Sequence, residues 1–368
     1  MGLTVNIWFA ANIPQESCGG VARSMRGLSE GLRQGHGFDT EIVYGFRGRI
    51  RGNYLFFACS LCLRLLLHVK NPPRWIIARS TDGVFCAIAA RTLGIKTKIA
   101  LHNHGWEEIA YCIEKKLPAD FVGARSTWRA RFIRFPLLRT AIFFCDRCIS
   151  GTLCETRWLA KRYPLGRKKY AYIPNGVAVG SEALWESRGA SGENAFLSVG
   201  GNTWKKNLGN TIGVFKNIVA RLPDANLVLV GTGGNIKYFS EELRDYRRNY
   251  LIVPLENPDG MATWYEKCPY LISSSRYEGG HSLAILEAMS FGCVVFATDI
   301  PSTREIIVDK KNGVFIGGHS AEEDARTILE VVADRELVAR IRTGAFHSAR
   351  RARWSRQVGR LKAVLCLE

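Results

Sequence analysis

Residues 275–305 read SRYEGGHSLAILEAMSFGCVVFATDIPSTRE, and this stretch decides the fold. Just before it, residues 270–274 (YLISS) form an apolar run too short for an independent helix, so they read as a buried strand. Glu278-Gly279-Gly280 then breaks the run, because glycine makes backbone turns that a Cβ forbids. Ser282 is placed to cap a helix over 283–291, and Gly292 to end it. Residues 294–297 are the next strand, with Asp299 and Pro301 marking a loop. Glu278 and Glu287 thus bracket a loop that enters a helix N-terminus. Unpaired N–H groups and the positive end of the helix dipole suit such a place to a phosphate.

The same alternation runs through the rest of the chain. Residues 5–10 (VNIWFA) are a strand, Gly19-Gly20 opens a helix over 21–33, Gly35-His36-Gly37 closes it, and 40–44 is a second strand. Strands follow at 75–78 (WIIA) and 98–101 (KIAL), with a helix over 85–93 between them. The second of these runs into His102-Asn103-His104-Gly105, at the strand end where doubly wound folds build sites. An imidazole there takes a proton or donates to a phosphate oxygen, and both His102 and His104 are candidates. After a strand and loop at 147–151 (RCISG), residues 187–194 (SRGASGEN) have the most flexible composition in the chain. The pattern restarts at 195–199 (AFLSV), followed by a turn holding Lys205 and Lys206, then by strands at 226–230 and 251–257. Two lysines at a strand's carboxyl end are suited to a diphosphate.

Length and composition agree with two α/β domains. The chain has 368 residues and no run of eighteen uncharged apolar residues, which excludes a spanning helix on sequence grounds. Eleven cysteines, an odd and scattered set, point to a reducing compartment. Charge is uneven. Residues 1–180 carry 27 Lys+Arg against 11 Asp+Glu, whereas 181–368 carry 24 against 22. One half therefore faces an anionic partner. Residues 125–139 (RSTWRARFIRFPLLR) interleave arginine with Trp128, Phe132 and Phe135, the composition of a segment lying on a membrane surface.

The stretch quoted first resembles the donor signature of the family 4 retaining glycosyltransferases, E-G-F-G-L-x-x-L-E-A-M-A-x-G-x-P-V-V. LEAMSFGCVV follows it position by position, while eight residues rather than seven separate Glu278 from Glu287. GGVARSMRGLSEGLRQGHG is similar to the family's first glycine motif, and residues 172–177 (YIPNGV) to its I-P-N-G-V. Lys206 matches the lysine of V-G-R-x-x-x-x-K-N. Gly201 stands where that motif has arginine, and Lys205 takes the arginine place of the variant V-G-S-N-x-x-R-K-N.

The resemblance implies an α/β chain of the GT-B fold, two Rossmann-like doubly wound domains facing across a cleft. The acceptor-side domain would span 1–178, a linker 179–194 and the nucleotide-sugar domain 195–345, with a helix in 346–368 crossing back. It implies that Gly19, Gly20, Lys205, Lys206 and the amides of Ser282, Leu283 and Ala284 hold the donor diphosphate. Glu287 would hold the ribose, Glu278 the donor sugar, and His104 would act near the acceptor. No cofactor and no metal is implied, in keeping with the lack of any Asp-x-Asp. The implied activity is retaining transfer from a nucleotide-sugar to a saccharide or lipid-linked saccharide in bacterial surface polysaccharide synthesis. The expected setting is cytoplasmic and peripheral to an anionic membrane face, without nucleic acid as a partner. A phosphorylase or epimerase of the same fold, or a catalytically silent polyanion binder, are the rival readings.

Overall fold

The computed structural model describes residues 6–17, 19–45, 54–116, 130–179, 194–201, 203–232, 236–253, 258–317 and 320–367. Residues 180–193 of the expected linker, 125–129 of the arginine-rich segment and 254–257 of the expected base loop lie outside this set. The chain divides into two compact units, one made of 1–116, 125–176 and 354–368, the other centred on 177–353.

In the first unit the order is β1 (Asn6–Ala11), α1 (Gly20–His36), β2 (Asp39–Tyr44), α2 (Tyr54–Leu67), β3 (Trp75–Arg79), α3 (Val84–Thr92), β4 (Lys98–Asn103), α4 (Glu107–Glu114), α5 (Phe135–Phe144), β5 (Arg147–Ser150), α6 (Leu153–Arg162) and β6 (Tyr170–Tyr172). The second unit holds β7 (Ala195–Val199), α7 (Leu208–Val219), β8 (Asn226–Val230), α8 (Ile236–Glu242), β9 (Tyr250–Val253), α9 (Pro258–Lys267), β10 (Tyr270–Ser273), α10 (Leu283–Ser290), β11 (Val294–Thr298), β12 (Val314–Ile316), α11 (Ala321–Ala333) and α12 (Arg335–Arg351). A last helix, α13 (Trp354–Leu365), belongs to the first unit.

Both sheets are six-stranded and every pairing is parallel. Parallel strands need helical crossovers, which cover both faces and make the strands apolar throughout. In the first unit Leu28, Leu32 and Leu361 pack on one face, and Leu61, Ala87 and Leu138 on the other. In the second, Ile212, Phe215 and Ile328 cover one face, and Ile285, Met289 and Ala345 the other. The first sheet runs β2-β1-β3-β4-β5-β6 and the second β12-β11-β10-β7-β8-β9. Read from its own first strand, the second is the 3-2-1-4-5-6 dinucleotide order, while the first follows the 2-1-3-4-5 order and extends it by one strand. The strand order therefore reverses between β1 and β3 in one unit and between β7 and β10 in the other, which marks where ligands bind in such sheets.

Three details differ from the sequence-based expectations. β4 runs two residues further and takes His102 and Asn103 into the strand. Residues 170–172, where no strand is expected, form the edge strand β6. The expected boundary at 345/346 falls inside α12, because the helical pattern continues unbroken to Arg351. The chain changes unit after Arg353, where the Val177 amide donates to the Ala352 carbonyl at 3.0 Å.

The α1–α13 contact explains two glycines. A Cβ on Gly27 would lie 2.6 Å from the Trp354 ring and one on Gly31 2.4 Å from Val358 Cγ2. Gly176, in the I-P-N-G-V turn, is held to glycine by the same Trp354, 2.6 Å from where its Cβ would be. Among the described residues no helix is long and apolar enough to cross a membrane.

Candidate functional site

In the second unit the chemistry gathers where the strand order reverses. The loop after β7 turns at Gly200, whose φ of 148° is open to glycine, and at Asn207, left-handed at 51°. A Cβ at position 200 would crowd the Lys206 side chain at 3.1 Å, so the lysine runs directly across that backbone. Its ammonium reaches Glu278 Oε1 at 2.6 Å, and Ser275 Oγ donates to the same oxygen at 2.7 Å. The Arg276 amide donates to the Lys205 carbonyl at 2.7 Å, tying the loops after β7 and β10 together. The pair is largely screened from water, with side-chain exposures of 27% for Lys206 and 12% for Glu278. Desolvating two opposite charges offsets much of their attraction, so such a pair contributes little net stability.

Lys205 points elsewhere. Its ammonium lies 5.2 Å from the Tyr277 ring centre and 5.8 Å from that of Trp204, and the two rings are stacked 6.3 Å apart. The cation is thereby placed over two aromatic faces.

The helix α10 follows this loop. Ser282 occupies the N-cap with extended backbone, but its side chain makes no capping bond, contrary to the capping role expected from sequence. The first intrahelical bond is from the Leu286 amide to the Ser282 carbonyl at 3.0 Å. The amides of Leu283, Ala284 and Ile285 find no acceptor among the described residues, though all three residues are buried. A buried helix start left in this state is suited to an anion. One turn on, the half-buried Glu287 accepts from the Tyr265 hydroxyl at 3.0 Å, which holds its carboxylate in place. His281 Nε2 lies 3.2 Å from Glu305 Oε2, bracing the loop against the one after β11.

In the first unit the carboxyl edge of the sheet carries the other candidates. Gly19 is the N-cap of α1, which begins at Gly20; both are exposed, and no acidic residue lies in the first turn. His102 is buried in β4, and His104 follows it half-buried, with the rings 4.4 Å apart. Burial holds the His102 imidazole down at about 4. Burial, with His102 and Arg79 nearby, holds His104 well below the usual range as well. Both rings are neutral at pH 7 and act as hydrogen-bonding groups rather than as cations. Among the described residues, no partner reaches the buried His102 Nδ1 and Asn103 Nδ2.

Several functional-edge residues escaped the sequence reading. Asp82, between β3 and α3, is buried and accepts from the Asn12 amide at 2.9 Å; burial pushes its carboxyl up to about 6. Its setting in S-T-D-G looks like turn chemistry in sequence. Glu155 is buried at the start of α6 and accepts from the Trp106 amide at 3.3 Å, a contact spanning 49 residues that no local pattern announces. Tyr265 is legible only once α9 is packed against α10.

Residues 182–347 match the family model described as Glycosyl transferases group 1. The chain is 28% identical over 148 residues to poly(glycerol-phosphate) alpha-glucosyltransferase of Bacillus subtilis, covering 39% of this chain and 21% of that protein. It is 24% identical over 292 residues to an uncharacterised glycosyltransferase of Haemophilus influenzae, covering 77% and 73%. The match thus spans about a fifth of the first curated relative. Among solved structures, sucrose-phosphate synthase from Thermosynechococcus elongatus superposes with a TM-score of 0.75 at 14% identity, over 97% of both chains. HepE from Anabaena, in complex with UDP and glucose, gives 0.69 at 15%, over 98% and 99%. The fold is that of the GT-B glycosyltransferases. Residues 182–347, most of the second unit, are thus similar to the group 1 glycosyltransferases.

Proposed function

We propose that the protein is a retaining, metal-independent glycosyltransferase that moves a sugar from a nucleotide-sugar to a saccharide or lipid-linked saccharide. The observation that carries this is the Lys206–Glu278 pair beside the uncapped start of α10. In this reading Lys206 and the amides of Leu283 and Ala284, with that of Ser282, take the diphosphate. Lys205 leaves its aromatic faces to add a second charge. Gly19 and Gly20, at the start of α1, are assigned as phosphate-binding backbone. Preorganised donors aimed at the leaving oxygens do the work that a divalent metal does elsewhere, at about 10²–10³ in rate for each donor.

Glu278 trades its Lys206 contact for hydroxyls of the donor sugar, and Glu287 accepts from the ribose. His104, neutral in its buried setting, hydrogen-bonds the incoming hydroxyl without adding charge. No side chain is assigned as a nucleophile, so the acceptor attacks from the face the diphosphate leaves. Two similar proteins support the choice of donor: the Bacillus relative is named as a glucosyltransferase, and HepE was solved with UDP and glucose. Surface polysaccharide synthesis fits this choice, and the basic first half fits a peripheral position on the anionic cytoplasmic face of a membrane.

The reading is tested by incubating the protein with UDP-, GDP- and ADP-sugars, with and without a saccharide acceptor and with EDTA. Nucleotide release should require acceptor and survive EDTA, and NMR should show the donor's anomeric configuration kept in the product. An inverted product, or release that EDTA abolishes, refutes the corresponding part.

A further inference from the structure

The first unit carries a second cavity-forming region, on the edge of its sheet opposite His102 and His104. The C-terminal ends of α3, α5 and α6, with the start of β6, enclose a cavity of about 610 Å³. Six residues of β4 separate the two edges, roughly 20 Å at 3.3 Å per residue. Ile142, Phe144 and Tyr170 contribute apolar wall, while Arg91, Arg139, Arg162 and Lys169 also line the cavity and no carboxylate does. Arg91 and Arg139 are partly neutralised, by Asp146 at 3.1 Å and Glu108 at 2.9 Å. Among the described residues Arg162 and Lys169 have no such carboxylate partner: the first lies over the Tyr163 ring at 5.2 Å, and the second donates to the Phe143 carbonyl at 2.8 Å. No acidic residue occurs in 156–181, which also holds Lys161, Arg167 and Lys168.

The rim is what separates one polyanion from another. Phe143 is 73% exposed and Leu165, in the turn Pro164–Lys169 beside the cavity, is fully exposed. A nucleic acid would use the charges and could stack a base on Phe143, but would leave the aliphatic Leu165 in water. A bilayer accepts both, with apolar tips in the hydrocarbon boundary and cations at the depth of the phosphates. The volume is of a size that holds a small ligand or headgroup.

We infer that this cavity and its rim take an anionic phospholipid, so that this edge of the first unit rests on a membrane. The inference builds on the membrane part of the function proposed above and is independent of the donor chemistry.

The test is co-sedimentation with vesicles of phosphatidylcholine, alone and with phosphatidylglycerol, at low and high salt. Wild type is compared with Arg162→Gln/Lys169→Gln and with the same pair plus Leu165→Asp, Arg162 and Leu165 being exposed and Lys169 half-buried. Wild type should bind only the anionic vesicles and release in salt. Each cation removed should lower partitioning about fivefold, and Leu165→Asp should lower it further. Denaturant melts of the first unit in the same variants should match wild type, which shows its fold intact, and UDP, GDP and ADP titrations should match as well, which shows the donor site untouched. If the triple variant binds vesicles as wild type does, the cavity is not the docking site, although membrane association stands. If wild type ignores anionic vesicles, both the inference and the membrane reading fail while the donor site keeps its own test. Binding of inorganic phosphate or single-stranded nucleic acid that these substitutions abolish, without vesicle binding, would give the cavity to another anion.

Discussion

The two units use the same kind of sheet, yet the places where their strand order reverses are opposite in character. In the first, the Asn12 amide after β1 meets Asp82 after β3, sealed from water with the carboxyl pushed up to about 6. In the second, Lys206 after β7 meets Glu278 after β10 beside an uncapped helix start. One joins a backbone donor to an acid in a closed core; the other joins two charges at an opening. The surfaces differ too. Among the described residues, large exposed apolar side chains such as Phe56, Leu63, Phe143 and Leu165 concentrate in the first unit, where the basic surplus also lies. Two parallel sheets of different strand order therefore carry an ion pair beside an uncapped helix start in one unit and, in the other, a sealed core with a basic, apolar exterior.

The contrast is most exposed to a Lys206→Ala substitution. It should cut turnover by about 10²–10³, the cost of one preorganised oxyanion donor, and should leave the first unit's melting unchanged. Steady-state kinetics and calorimetry check both halves. Next is Trp354→Ala, which removes the side chain wedged against Gly27 and Gly176. It should destabilise the first unit by about 3 kcal/mol in denaturant melts read unit by unit, with the second unit unaffected.

Asp82→Asn has an effect set by pH. The unfolded carboxyl ionises near 3.8 and the folded one near 6, so native stability falls as pH rises between these values and the loss is complete above them. The substitution should therefore stabilise the first unit at pH 7–8 by at most about 3 kcal/mol, with the gain gone below pH 4. His102 works in the opposite direction. Its folded value near 4 means that native stability is lost as pH falls from about 6.5, which His102→Gln should abolish. The smallest effect belongs to Lys205→Ala. Because its ammonium gives up a cation–π contact of about 1 kcal/mol with Trp204 and Tyr277 to reach the diphosphate, its net contribution is small and turnover should fall only about threefold to tenfold. A loss equal to that of Lys206→Ala would show that Lys205 serves the diphosphate fully.

The elements legible in the sequence were those with a local cause. Apolar runs cut by glycine gave β10, α10 and β11 within a residue, because strand burial and helix termination are both written locally. The pairing of Lys206 with Glu278, across 72 residues, was approachable only as two separate motifs. Ser282 looked like a cap because serine usually is one; only the structure shows the amides left open. Asp82 and Glu155 were invisible, since the burial that gives them their character comes from strands and helices distant in the chain. The short β6 and β12 were missed because three-residue edge strands carry too little pattern to count.

The most direct test is calorimetric titration of UDP, GDP and ADP into wild type, Glu287→Ala and, as a first-unit control, Asp82→Asn. One nucleotide should bind selectively, tenfold or more weaker in Glu287→Ala, as expected for lost hydrogen bonds to a charged group, and unchanged in Asp82→Asn. Folded wild type that binds none of the three, or Glu287→Ala that binds as well as wild type, would contradict the assignment of the donor site to the second unit.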